Sequence, residues 1–175
     1  SGDGKKLDAY LERCETFGFS GVAWVERKGT VLLAKGYGLA DPIEGTPNTP
    51  DTLYDIASAS KQVTAAAVLL LESREKLKTS DRLAEHLPDV PDDLRDVTLA
   101  HLLHHTSGFP RMGPAGSGDD RDAAVRTYLS GKRTTGAGKR FEYFNGGYAL
   151  LAAVVEVVSE QSFEDFVQAE LFRPA

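Results

Sequence analysis

Cysteine is almost missing from these 175 residues, and the one that occurs, Cys14, has no second thiol to pair with. That excludes an intrachain disulfide framework. Cys14 falls in an apolar, helically spaced set, so a buried thiol is expected there. Long hydrophobic runs are missing too. No stretch reaches the roughly 18 apolar residues that a membrane-spanning helix needs, so no transmembrane segment is expected. The opening Ser1-Gly2-Asp3-Gly4-Lys5 lacks the apolar region of a secretory leader. Neither that nor the single cysteine assigns a compartment. Basic residues are in deficit, with 20 Lys and Arg against 26 Asp and Glu and a net charge of −6, which argues against a nucleic-acid partner. Strand-forming segments are scarce, and no internal repeat is visible.

What is present fits one globular domain of ordinary composition, 41% hydrophobic. Leu7, Tyr10, Leu11, Cys14 and Phe17 recur at helical spacing and predict an amphipathic first helix. Gly21 to Val25 and Val31 to Gly38 read as strands joined by a tight turn through Arg27-Lys28-Gly29, a β-hairpin. Residues 41–50, with three prolines, read as a loop. Beyond it the chain is mainly helical. Thr79-Ser80-Asp81 leads a short turn carrying Leu83 and Leu87. Thr98 caps a helix carrying Leu99, Leu102 and Leu103. Residues 111–120, with Gly113, Pro114, Gly116 and Gly118, read as a mobile surface loop, and Asp122 to Leu129 as a short helix. Tyr148, Leu151, Ala152 and Val155 form one apolar stripe, and Ser162 with Asp165 resembles a capping box.

The stretch Leu53 to Leu71 carries the sharpest chemical hint. Its first residues read as a strained approach to a helix in which Val63, Ala66, Ala67 and Leu70 form the apolar row. Ser58 stands at the helix start and Lys61 three residues on, which puts both on one face. A serine becomes a useful nucleophile when a neighbouring base takes its proton, and a lysine of lowered pKa can serve. Ser-x-x-Lys is a known catalytic pairing. On its own the pair is better read as a capped structural helix.

Three ordered stretches change that balance: Ile56-Ala57-Ser58-Ala59-Ser60-Lys61-Gln62, Val97 to Pro110 with its His104-His105-Thr106-Ser107-Gly108, and Phe141-Glu142-Tyr143-Phe144-Asn145-Gly146-Gly147-Tyr148. With the N-terminal helix and hairpin they resemble the serine β-lactamase and penicillin-binding superfamily. The likeness is to the branch of class C β-lactamases, D-alanyl-D-alanine peptidases and related esterases. The resemblance implies an α+β fold, in which residues 1–50 give a helix and antiparallel hairpin of the sheet and 51–175 the mainly helical part of one incomplete domain. It implies a serine hydrolase working through an acyl-enzyme on a small-molecule or peptide substrate: a β-lactam, a D-Ala-D-Ala peptide or a small ester. Ser58 takes the role of nucleophile and Lys61 of its partner. Tyr143, of the Tyr-x-Asn motif, takes that of proton carrier, and Asn145 contacts the substrate carbonyl and the lysine. No cofactor is implied.

The family's third motif, a Lys-Thr-Gly or His-x-Gly run on a sheet strand, has no counterpart here, nor do the C-terminal sheet strands. The expectation is the N-terminal portion of a longer enzyme, with a continuation or a second polypeptide supplying the rest. The alternatives are a natural miniature that dimerises through its hairpin edge, or a catalytically incompetent, non-catalytic binding chain. His101 and His105 have the i, i+4 spacing of metal ligands, but no glutamate follows His101 and no third ligand is apparent, so no metal is expected. Gly146-Gly147 lacks the spacing and lysine of a nucleotide loop and reads as close packing behind Tyr143 and Asn145.

Overall fold

The computed structural model describes residues 2–111 and 120–174. The loop expected over 111–120 therefore lies almost wholly outside the described residues. The chain forms an α+β fold of two compact units, Ser1–Asp55 and Ile56–Ala175.

In the first unit, helix α1 (Gly2–Glu15) accompanies a hairpin of β1 (Gly21–Arg27) and β2 (Thr30–Tyr37), paired antiparallel from Gly21↔Tyr37 to Arg27↔Thr30 with a bulge at Val25/Glu26. Only Lys28 and Gly29 remain for the turn, both at positive φ, 52° and 74°. Such a turn matches the right-handed twist of the strands. The segment expected as plain loop holds a second small ladder, β3 (Leu39–Asp41) with β4 (Thr46–Pro47). Between them Asp41 accepts the N–H groups of Ile43 and Glu44 at 2.8 and 3.1 Å, an aspartate turn. The chain crosses Gly36 so closely that a Cβ there would lie 1.9 Å from the Asn48 carbonyl oxygen.

Helix α1 turns its charged face, not its apolar one, to the hairpin. Asp8 and Glu12 accept from Lys35 Nζ at 2.7 and 2.8 Å, Tyr37 donates to Asp8 at 3.0 Å, and Glu15 accepts the Gly38 N–H at 2.5 Å. Much of the apolar set is left outside: Tyr10 is 57% exposed and Phe17 90%, while Leu11 and Cys14 are half-buried. Phe17 lies beyond the helix end at Glu15. Cys14 is half-exposed, so the buried thiol expected from the spacing is not found. The physical reason is that the hairpin offers Lys35 to Asp8 and Glu12 and the Gly38 N–H to Glu15, which turns these carboxylates toward it. Lys35 and Tyr37 hold the Asp8 carboxyl below the usual carboxylate range. Burial, then the bond to Asp8, pushes the Tyr37 phenol up to about 12.

The second unit is helical. A 3-10 turn (Ala57–Ser60) runs into α2 (Lys61–Ser73), and α3 (Leu99–Leu103), α4 (Arg121–Leu129), α5 (Asn145–Ser159) and α6 (Phe163–Val167) follow. Although the serine-bearing run draws the eye in the sequence, the helix at the centre is α5. It packs on α2, α3, α4 and α6 and buries Leu150, Leu151, Val154 and Val155, a broader face than one stripe. On α2 the buried row is Thr64, Ala67, Val68 and Leu71. Val63 and Leu70 flank it partly buried, so the expected stripe is displaced by one residue toward α5. The caps at Thr98 and Ser162 form: Thr98 Oγ1 accepts the His101 N–H at 3.2 Å and Ser162 Oγ the Asp165 N–H at 3.1 Å.

The segment after α3 is fixed against residues 131–142 rather than against a helix. Thr134 donates to the Gly108 carbonyl at 2.9 Å, Gly138 to Thr106 at 2.7 Å and Glu142 to His105 at 2.7 Å. Gly108 has φ +90°, and a Cβ on it would stand 2.2 Å from the Thr135 carbonyl oxygen. Arg133 ties the same stretch to the preceding turn through Asp96 at 2.7 Å and the Asp93 carbonyl.

Candidate active site

All four residues singled out in the sequence lie in the second unit, and three of them meet. Ser58 occupies the 3-10 turn before α2, exposed, with its Oγ 2.6 Å from the Tyr143 hydroxyl. Lys61, the first residue of α2, donates from Nζ to Ser58 Oγ at 3.2 Å. The three-residue separation delivers that contact because the 3-10 turn passes directly into the α-helix. The same ammonium lies over the Tyr143 ring, 5.1 Å from its centroid, and 5.6 Å from that of Tyr148.

The approach to Ser58 is strained as the sequence suggests. Ala57 has φ 44°, a left-handed conformation that costs a non-glycine residue about 1 kcal/mol or more. It swings the chain so that Ser58, the second residue of the turn, has its hydroxyl toward Tyr143. In that position the Ser58 N–H is one of the donors a helix start leaves without an internal acceptor, suited to a developing oxyanion.

Tyr143 arrives on the segment ahead of α5. Lys61, then the Ser58 hydroxyl, holds its phenol below the ordinary tyrosine range. An adjacent cation favours the phenolate, which is the form able to accept a proton from serine. Tyr148 behaves oppositely: burial raises its phenol, and its hydroxyl donates to the Leu103 carbonyl at 3.0 Å. Asn145, the first residue of α5, is exposed, and among the described residues its side chain makes no hydrogen bond to Lys61. Gly146 behind it is there for packing, since a Cβ would lie 2.4 Å from both the Phe144 and Tyr128 rings.

One residue of the site has a place the sequence reading did not foresee. His105 packs on Tyr143 with ring centroids 4.4 Å apart, and its Nδ1 accepts the Phe144 N–H at 3.2 Å. The sequence presents it only as half of a histidine pair. Its partner His101 is engaged elsewhere, with Nδ1 accepting the Thr98 N–H at 3.2 Å. Among the described residues no group of His, Cys, Asp and Glu side chains forms a metal-binding cluster, and no helix is long and apolar enough to cross a membrane.

A helical unit that sets serine, lysine and tyrosine together, in a chain that also carries a helix-and-hairpin unit, defines a class of protein, and the chain belongs to it: residues 7–175 match the Beta-lactamase family. Among individual relatives, the chain is 33% identical over 173 residues to PbpX of Bacillus subtilis (strain 168), named as a penicillin-binding protein, covering 98% of this chain and 42% of that one. It is 30% identical over 161 residues to the teichoic acid D-alanine hydrolase of Staphylococcus aureus (strain MRSA252), covering 92% and 40%. The crystal structure of FmtA from Staphylococcus aureus superposes with a TM-score of 0.82 at 27% identity, over 97% of this chain and 46% of that chain. The chain thus spans about two fifths of the length of these curated relatives.

Proposed function

We propose that the chain carries the nucleophilic machinery of a serine hydrolase that cleaves amide or ester bonds through an acyl-enzyme on Ser58. The observation behind this reading is the contact set at Ser58 Oγ, 2.6 Å from the Tyr143 hydroxyl and 3.2 Å from Lys61 Nζ. In the reaction, Ser58 Oγ bonds to the carbonyl carbon of the substrate while its proton passes to the Tyr143 phenolate. The carbonyl π electrons move to oxygen, where the Ser58 N–H donates to them. Collapse breaks the carbon–nitrogen or carbon–oxygen bond, the leaving group takes the proton back from Tyr143, and Ser58 is left as an ester. Water, giving its proton to the same phenolate, then hydrolyses that ester and restores the hydroxyl. Lys61 favours the phenolate by its charge, and Asn145 is the contact for the substrate carbonyl. General-base help of this kind is worth about 10²–10⁴ in rate.

Penicillin-binding and D-alanine-hydrolysing relatives support β-lactams, D-alanyl peptides and small esters as the substrate range. The test is intact-protein mass spectrometry with a fluorophosphonate. One adduct, mapped to Ser58 and lost in Ser58→Ala, is expected; an adduct of equal yield in Ser58→Ala overturns the assignment.

A second reading rests on the sheet. Among the described residues there are only two two-stranded sheets, and an isolated hairpin is marginal with both edges open. In this reading a further polypeptide segment adds strands and the second oxyanion donor, without which about 2.7–4 kcal/mol of barrier lowering is lost. Multiple turnover by the chain alone, at a verified mass of 18.9 kDa, would exclude it.

A further inference from the structure

More of the bonding of His105 is directed at Tyr143 and its neighbours than at anything else. His105 follows α3 with φ 55°, a left-handed conformation open mainly to glycine, asparagine, aspartate and histidine. From there two of its acceptors reach one segment. Its carbonyl oxygen accepts the Glu142 N–H at 2.7 Å, and its Nδ1 accepts the Phe144 N–H at 3.2 Å. Glu142 and Phe144 are the residues on either side of Tyr143, so a single residue grips the phenol-bearing peptide from both sides. The imidazole also lies against the Tyr143 ring, tilted by 32°.

A ring nitrogen that accepts a backbone N–H is unprotonated. The Phe144 contact therefore selects the neutral imidazole with its hydrogen on Nε2. Protonation would set one N–H against another at Nδ1 and place a second cation beside Lys61. The surroundings agree, because burial and then the Lys61 ammonium hold His105 below the usual imidazole range.

We infer that His105 is a positioning residue for Tyr143: as a neutral imidazole it fixes the phenol against Ser58 and Lys61, and on protonation it lets the phenol go. This rests on the reading of Tyr143 as the proton acceptor of Ser58. The groups that face His105 are Lys61 from α2, Tyr143 and Glu142 from the segment before α5, and Tyr148 from α5. Arg140 keeps the Glu142 carboxyl below its usual range and burial keeps Tyr148 above its own. Neither changes charge in the mildly acidic window below the ordinary imidazole value. The signature is loss of Ser58 reactivity as pH falls through the lowered value of His105.

The test uses the full chain and two variants. In His105→Asn the amide oxygen replaces Nδ1 as acceptor, the left-handed backbone is tolerated, and nothing titrates. His105→Ala keeps neither acceptor nor ring. Fluorophosphonate labelling of Ser58 is expected to lose in His105→Asn the acid-side inflection that coincides with the His105 midpoint, leaving only the rise set by the Tyr143 phenol, with the rate near pH 8 within about threefold of the parent. In His105→Ala the rate falls about tenfold to a hundredfold above the His105 midpoint, the scale of a displaced catalytic group, and approaches the parent's below it. That inflection unchanged in His105→Asn, or parental labelling above the midpoint in His105→Ala, overturns the inference. A second readout needs no activity. In NMR titrations of the parent chain, His105 is expected as the Nε2–H tautomer, with the Tyr143 ring signals moving at the His105 midpoint. Tyr143 signals indifferent to that titration overturn the positioning role. Coupled signals without any Ser58 adduct would instead count against the hydrolase reading alone.

Discussion

Replacing Gly108 with alanine tests the packing that holds the His105 segment in place. Gly108 combines φ +90° with a missing Cβ that would stand 2.2 Å from the Thr135 carbonyl oxygen and 3.3 Å from Arg133 Cδ. The backbone conformation alone costs an alanine about 1 kcal/mol. The steric overlap is with backbone, so the 131–138 stretch has to move, and forced repacking of this kind costs about 1–3 kcal/mol. The Thr134 N–H bond to the Gly108 carbonyl, 2.9 Å long, is strained in the process. Together these give a loss of about 2–4 kcal/mol. For a chain of this length each kcal/mol moves the melting temperature by about 2–4 °C, so a fall of about 4–16 °C is expected. Gly136 in the same stretch is the control. It has ordinary φ, and its nearest neighbour for a Cβ is Lys139 Cγ at 3.6 Å. Gly136→Ala should be neutral or stabilising by up to about 1 kcal/mol. Urea titration of both variants, with m-values compared against the parent, separates the two. A Gly108→Ala loss below about 0.5 kcal/mol, or equal losses at both sites, would refute the reasoning.

Three further outcomes follow from other parts of the chain. Lys61→Met removes the cation that depresses the Tyr143 phenol, so the rise of Ser58 labelling with pH should shift to more alkaline values; an unmoved profile in stopped labelling experiments contradicts the electrostatic role. Glu160 ends α5 with φ 57°, and Glu160→Gly should stabilise by about 0.4–1 kcal/mol in chemical denaturation, since glycine takes that conformation without strain. The Asp8 carboxyl is depressed by Lys35 and Tyr37. Its contribution to stability is present above the ordinary carboxylate value and lost as pH falls through the lowered one, so Lys35→Met should raise the Asp8 midpoint in a carbon-detected NMR titration.

Local chemistry was legible in the sequence and long-range placement was not. Ser58 and Lys61 are three residues apart, and helical geometry alone brings them into reach. The caps at Thr98 and Ser162 are equally local, and both form. Tyr143 lies 85 residues from Ser58, and no periodicity joins them; only the family likeness did. His105 appeared as a spacing to His101, because its bonds to residues 142–144 arise from packing two irregular segments that have no pattern of their own. The first helix misled for another reason. Its apolar stripe was clear, but the face that meets the hairpin is decided by Lys35, which lies on a different element and reverses the usual preference. On α2 the one-residue displacement of the buried row reflects the direction from which α5 packs, again a tertiary fact.

The left-handed Ala57 beside Ser58 has a consequence for how such a chain responds to selection. A library screened only for heat tolerance should enrich glycine at position 57, because glycine relieves the local strain at once. The same exchange widens the conformational range of the Ser58 turn and so dilutes the geometry that sets Oγ 2.6 Å from the Tyr143 hydroxyl. A library screened for acylation should keep alanine there and recover its thermal margin at remote sites such as Glu160. Two screens of one pool would then diverge first at position 57.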